Sequence, residues 1–183
     1  MCIYAYLYPS LLTAVGKDRQ EEDMSRQAMQ EEGRCNCLAL RQAARYLTAS
    51  YDQVLGESGL RTMQFSILYK LGARGPQTIG ELSAIMAMDR TTLARNLKPL
   101  EREDLVRVRS GADRRHRQVE LTPSGRKKWE SAFPHWQKAQ KQFESRFGVA
   151  RAKQLRGTLR AVLGSGLDPW GHGEKLVVPT VRL

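Results

Sequence analysis

The chain has 183 residues, 41% of them hydrophobic and 27% charged, which suits one core-forming domain with extensions and is short for two. That balance excludes a wholly disordered chain. The formal net charge of +11 favours a polyanionic partner, nucleic acid ahead of an anionic membrane.

Residues 1–16 are apolar and tyrosine-rich, too short to span a bilayer as a helix and without the basic start of a signal peptide. A more ordinary polar start follows at Met24, where translation is expected to begin. Residues 17–34 are polar and aperiodic, so residues 1–34 read as a flexible arm. The three cysteines, Cys2, Cys35 and Cys37, form no disulfide framework and fit a reducing cytosol.

A helical period begins near Leu38. Leu40, Ala44, Leu47, Tyr51 and Val54 make one stripe, and Gly56 and Gly59 close the helix. A second helix is predicted over 61–72, with Phe65, Ile67, Leu68 and Leu71 apolar, then a loop over 73–77. Thr78-Ile79-Gly80-Glu81 is a capping-box pattern for a short third helix with Ile79, Leu82 and Ile85 or Met86 inward. After a turn at 86–88, Asp89 is a good N-cap for a fourth helix that buries Leu93, Leu97 and Leu100. Pro99 lies inside that pattern and predicts a bend.

The period then shortens. Leu105, Val106 and Val108, and again Val119 and Leu121, mark two strands of a hairpin around the turn composition 110–113. Thr122-Pro123 starts a long fifth helix carrying Trp129, Phe133, Trp136, Phe143 and Phe147, with Pro134 as an expected kink and Gly148 as its end. Val149, Ala152, Leu155, Leu159 and Val162 mark a sixth, and residues 164–183 read as a loose tail. The fold class is mainly α with a small β-hairpin wing. A winged helix-turn-helix over 61–122 is flanked by helices at 36–57 and 123–163.

Helix four opposes its leucines with Arg90, Thr91, Thr92, Arg95, Asn96 and Lys98, groups that hydrogen-bond to base edges and phosphates. The wing loop adds Arg114, Arg115, His116 and Arg117, with Asp113 as a brace for one arginine. An arginine on a narrow ribbon suits the minor groove. Arg107, Arg109, Arg126, Lys127 and Lys128 extend the basic band. Double-stranded DNA is the expected partner. One recognition helix and one wing cover a half-site, so a homodimer is expected, with the apolar first and aromatic fifth helices suited to its interface.

Asp113-Arg114-Arg115 followed by Val119-Glu120-Leu121-Thr122-Pro123-Ser124-Gly125 resembles the wing signature of the MarR family (multiple antibiotic resistance regulators). The segments 100–106 and 64–68 resemble it too, and the likeness spans about residues 35–164. The resemblance implies a homodimer joined by the first, fifth and sixth helices, which binds a near-palindromic operator, usually as a repressor. The family's usual glycine before the first wing strand is Asp104 here, a change expected to alter only a turn. Family members often release DNA on binding a small aromatic effector. Arg41, Arg45, Tyr46, Phe65, Tyr69, Trp129 and Phe133 are the candidate lining here. Cys35 and Cys37, near a helix N-terminus, are candidates for release by thiol oxidation, which the family also uses. No cofactor motif, metal-ligand spacing or catalytic arrangement is found, so no metal and no enzymatic activity are expected. The alternative function is a winged-helix protein-interaction module; the basic wing and helix four argue against it.

Overall fold

The computed structural model describes residues 20–29, 31, 33–110, 117–167 and 169. The chain divides into two units, Met1–Leu47 and Thr48–Leu183. In the first, residues 20–29 are helical and exposed, a correction to the flexible arm expected there. Gln, Glu, Ala, Met and Arg dominate the stretch and favour helix. Residues 1–16 and most of the expected tail, 168 and 170–183, lie outside the described residues.

Helix α1 (Asn36–Leu55) begins in the first unit and ends in the second. Its early apolar positions stay open, with Leu40 at 39% and Tyr46 at 78% exposure, while Val54 and Leu55 are buried. A 3-10 turn (Gly56–Ser58) follows and closes on Gly59 at φ 75°. Asp52 fixes the next element, because its carboxylate accepts both the backbone N–H and the hydroxyl of Thr62 at 2.6 Å. Helix α2 (Thr62–Arg74) buries Phe65, Ile67, Leu68 and Leu71, as its pattern requires.

Strand β1 (Gln77–Thr78) leads straight into helix α3 (Ile79–Ile85). The capping box is present: Thr78 Oγ1 accepts from the Glu81 N–H at 3.1 Å, and the Glu81 carboxylate accepts from the Thr78 N–H at 2.7 Å. The turn into helix α4 (Arg90–Arg102) places Ala87 at φ 50°, left-handed backbone where a Cβ is strained. Ala87→Gly is therefore expected to stabilise the fold by about 1 kcal/mol. Denaturant titration would read this directly, and an unchanged or lower stability would refute it.

Asp89 caps α4 through the Thr92 N–H at 2.8 Å. The helix continues as one element through Pro99 to Arg102. Strands β2 (Val106–Ser110) and β3 (Arg117–Leu121) pair antiparallel, Val106 with Leu121 and Val108 with Val119, and β1 joins the far side of β3. One hairpin face carries Val106, Val108, Val119 and Leu121 toward the core, and the other carries Arg107, Arg109, Gln118 and Glu120.

Helix α5 (Pro123–Phe147) starts on Thr122, whose hydroxyl accepts the Gly125 N–H at 2.9 Å and donates to the Asp104 carbonyl. Helix α6 (Val149–Leu163) follows Gly148. The core is the leucine set of α2, α3 and α4 closed by Val106, Val119 and Ala132. A polar chain ties α1, α5 and α6 beside it. The Tyr51 hydroxyl donates to Gln140 at 2.8 Å, Gln140 donates to Glu144 at 2.7 Å, and Arg156 reaches Glu144 at 2.9 Å. The Gln140 amide and then Arg156 hold the Glu144 carboxyl below its ordinary value. Among the described residues no helix is long and apolar enough to cross a membrane.

Candidate nucleic-acid interface

Helix α4 has two chemically opposite sides. Leu93, Leu97 and Leu100 are at most 2% exposed, which fixes the helix's rotation about its axis. Arg90, Thr91, Arg95 and Lys98 consequently project into solvent. Thr92 and Asn96 are half-buried and already engaged within the helix. The Thr92 hydroxyl donates to Asp89 at 2.6 Å, and Asn96 Nδ2 donates to the Thr92 carbonyl at 2.9 Å. The Thr92 hydroxyl, then its backbone N–H, holds the Asp89 carboxyl below its ordinary value. The cap is therefore ionised at neutral pH, and its contribution fades only as pH falls through that lowered value.

Four of the six α4 residues expected to contact DNA are thus exposed, and two shape the helix that carries them. The first of these rests against Gly80 of α3 at a distance that an alanine would also tolerate. With no side chain there, Arg90 Nη2 lies 3.6 Å from the place a Cβ would occupy.

On the wing, Arg117 is exposed at the start of β3. Asp113, Arg114, Arg115 and His116 lie outside the described residues. The hairpin's outer face carries two ion pairs, Arg109 with Glu120 at 2.6 Å and Arg107 with Asp104 at 3.9 Å. Asp104 occupies left-handed backbone at φ 52°, the conformation that makes glycine usual at this turn. Arg126 and Lys127 are exposed on the first turns of α5. Lys128 departs from the band, since its ammonium lies 3.1 Å from the Cβ position of Gly59.

The aromatic candidates Phe65, Tyr69, Trp129 and Phe133 come together with Trp136, their ring centroids 5.4–6.5 Å apart. Trp129 Nε1 is buried with no hydrogen-bond partner among the described residues. Arg41, Arg45 and Tyr46 are exposed on the part of α1 that belongs to the first unit. Cys35 and Cys37 are free and exposed. Cys35 Sγ accepts the Leu38 N–H at 3.4 Å and so caps α1. Among the described residues no three His, Cys, Asp or Glu side chains are grouped to hold a metal ion.

Sequence reasoning missed β1 and the Glu120 pair. Two residues carry no periodicity. Which arginine a strand carboxylate selects depends on cross-strand register, which the chain order leaves open.

Comparison with known proteins gives a consistent result. The model of the MarR family matches residues 58–116. YwoH of Bacillus subtilis, an uncharacterised HTH-type transcriptional regulator, is 34% identical over 91 residues, which make up 50% of this chain and 66% of that protein. The chain therefore spans just under two thirds of the length of this curated relative. The M. tuberculosis transcriptional regulator MosR, solved in complex with DNA, is 36% identical, with a TM-score of 0.64 over 73% of this chain and 99% of that one. BpsR of Bordetella bronchiseptica, whose DNA binding is regulated by 6-hydroxynicotinic acid, is 26% identical, with a TM-score of 0.63 over 73% and 95% of the two chains.

Proposed function

Because the chain belongs to the MarR family of transcriptional regulators, we propose that it binds double-stranded DNA as a homodimer and represses transcription from a near-palindromic operator. One observation carries the reading: α4 buries its leucine side in the core and presents Arg90, Thr91, Arg95 and Lys98 to solvent. Such a side presents hydrogen-bond donors at a spacing that fits base edges and phosphates in the major groove. The wing, with Arg117 and the loop residues Arg114, Arg115 and His116 braced by Asp113, would follow the neighbouring minor groove. The family is one of regulators rather than enzymes.

The dimer reading rests on apolar surface that the single chain leaves uncovered. Leu40 on α1 and Val149, Leu159, Val162 and Leu163 on α6 are 36–66% exposed. A second copy that covers the exposed apolar residues of each helix would take them out of water, as the helices of a symmetric dimer do. For release from DNA, the five-ring cluster with the orphaned Trp129 N–H supports a small aromatic effector, and the exposed pair Cys35 and Cys37 supports thiol oxidation. Titrating the dimer–DNA complex with aromatic acids and, separately, with peroxide distinguishes the two.

The central experiment selects duplexes from a random pool and titrates the winner at two salt concentrations. Specific binding by a species of twice the chain mass is expected. Its affinity should fall by roughly 10³-fold or more between about 50 and 200 mM salt if six or more phosphates are met. Failure to enrich any duplex would remove the proposal.

A further inference from the structure

We propose that Glu120 is a positioning residue that aims Arg109 at the DNA backbone, making Arg109 a wing contact on the strand itself as well as any made by the loop. The inference rests on the DNA-binding reading above. Its starting point is a choice that Glu120 makes between two arginines. By register, Glu120 of β3 stands directly across from Arg107 of β2, and Arg109 stands across from Gln118. Residues 107, 109, 118 and 120 share the outer face. Directly opposed side chains lie closer than diagonal ones. Glu120 nevertheless pairs along the diagonal with Arg109, at 2.6 Å, and leaves Arg107 to a looser 3.9 Å contact with Asp104. The diagonal runs toward the loop end of the hairpin.

The atoms of the contact matter. Glu120 Oε1 meets Arg109 through Nε, and among the described residues no second carboxylate lies within ion-pair distance of this guanidinium, whose terminal amino groups carry four further donors. The arginine side chain is 63% exposed, whereas that of Glu120 is 27% exposed and partly covered by the hairpin. The carboxylate is therefore the better fixed partner and the guanidinium the presented one. Exposed ion pairs add little to stability. This pair is more informative as orientation: a planar fork held at one edge offers its other donors to a phosphate without the cost of ordering a free side chain.

Two readings of Glu120 predict opposite signs. If it only places negative charge beside DNA, removing it should tighten binding. If it aims Arg109, removing it should weaken binding. The test uses the full chain and a fluorescein-labelled duplex enriched by the parent from a random pool, titrated at two salt concentrations.

Arg109→Ala is expected to weaken binding by roughly three- to tenfold and to lower the salt slope by about one. Glu120→Ala is expected to weaken it to a similar extent. Glu120→Gln, which keeps an acceptor in place, should lie nearer to the parent. In the Arg109→Ala background, Glu120→Ala should have no further effect, since a positioning residue acts only through what it positions. All variants should melt with the parent. Glu120→Ala binding as tightly as the parent or tighter, additive effects in the double variant, or Glu120→Gln binding more weakly than Glu120→Ala would each overturn the assignment while leaving the DNA-binding reading intact. A parent that enriches no duplex overturns both.

Discussion

Replacing Gly125 with alanine is expected to destabilise the fold by about 3 kcal/mol or more, the largest such effect among the described glycines. A Cβ at this position would stand 1.8 Å from the carbonyl oxygen of Leu105 and 2.7 Å from its carbonyl carbon. Both are backbone atoms with no rotamer to change. Relief requires moving the first turn of α5 away from the base of β2. That motion would also disturb three contacts: the Gly125 N–H to Thr122 Oγ1 bond, the Thr122 hydroxyl bond to the Asp104 carbonyl, and the Thr122 N–H bond to Leu105 at 3.2 Å. Gly72 supplies the contrast. Its added Cβ would meet Trp129 ring atoms at 2.7–2.9 Å, but that neighbour is a half-buried side chain able to shift. Gly72→Ala should thus cost less than Gly125→Ala. Denaturant unfolding of both variants decides the matter; a Gly125→Ala protein within about 1 kcal/mol of the parent would contradict the close approach.

Arg95→Ala should produce the largest single loss of DNA affinity, roughly ten- to a hundredfold on the selected duplex, with relaxed preference at one base position. Arg95 is exposed near the middle of α4, one turn after Thr91 and on the side away from Leu93 and Leu97. Its side chain has no carboxylate within ion-pair distance among the described residues. Truncating it therefore breaks no ion pair among the described residues, so melting should be unchanged and the loss can be assigned to binding. Lys98→Ala should instead weaken binding to selected and unselected duplexes alike. Equal losses on both duplexes for Arg95→Ala would move that residue from base reading to phosphate contact.

Much of this architecture is readable in the order of residues, because local rules and long-range packing agree. Thr78 with Glu81, Asp89 before Arg90, and Thr122 before Pro123 each announce a helix start, and each makes the expected cap. The leucines at 93, 97 and 100 locate the inner side of α4, and by subtraction its outer side. The Ser124-Gly125 pair within the wing signature marks a backbone approach that only glycine allows.

What stayed hidden depends on register or on small energies. Thr92 and Asn96 look like ligand-facing polar residues, yet their donors close onto Asp89 and the helix backbone. Helix α4 runs unbroken through Pro99, where the sequence predicts a bend, and its following turn is tied back by the Glu103 N–H to the Pro99 carbonyl at 3.1 Å. Lys128 belongs to a basic run in the chain but leans on Gly59 in space. The departure at Asp104 was itself a signal of left-handed backbone, legible only through a comparison with the family's glycine.

The seam between the hairpin root and α5 has a mechanical consequence. Thr122 is the single residue between β3 and α5, and it is bonded back to the residues that open β2. Both strands are therefore riveted to the same helical turn, and no pliable joint separates them from it. A tilt of α5 is therefore passed to the foot of both strands at once, and the pairing of β1 with Gln118 and Val119 links the same ribbon to the start of α3.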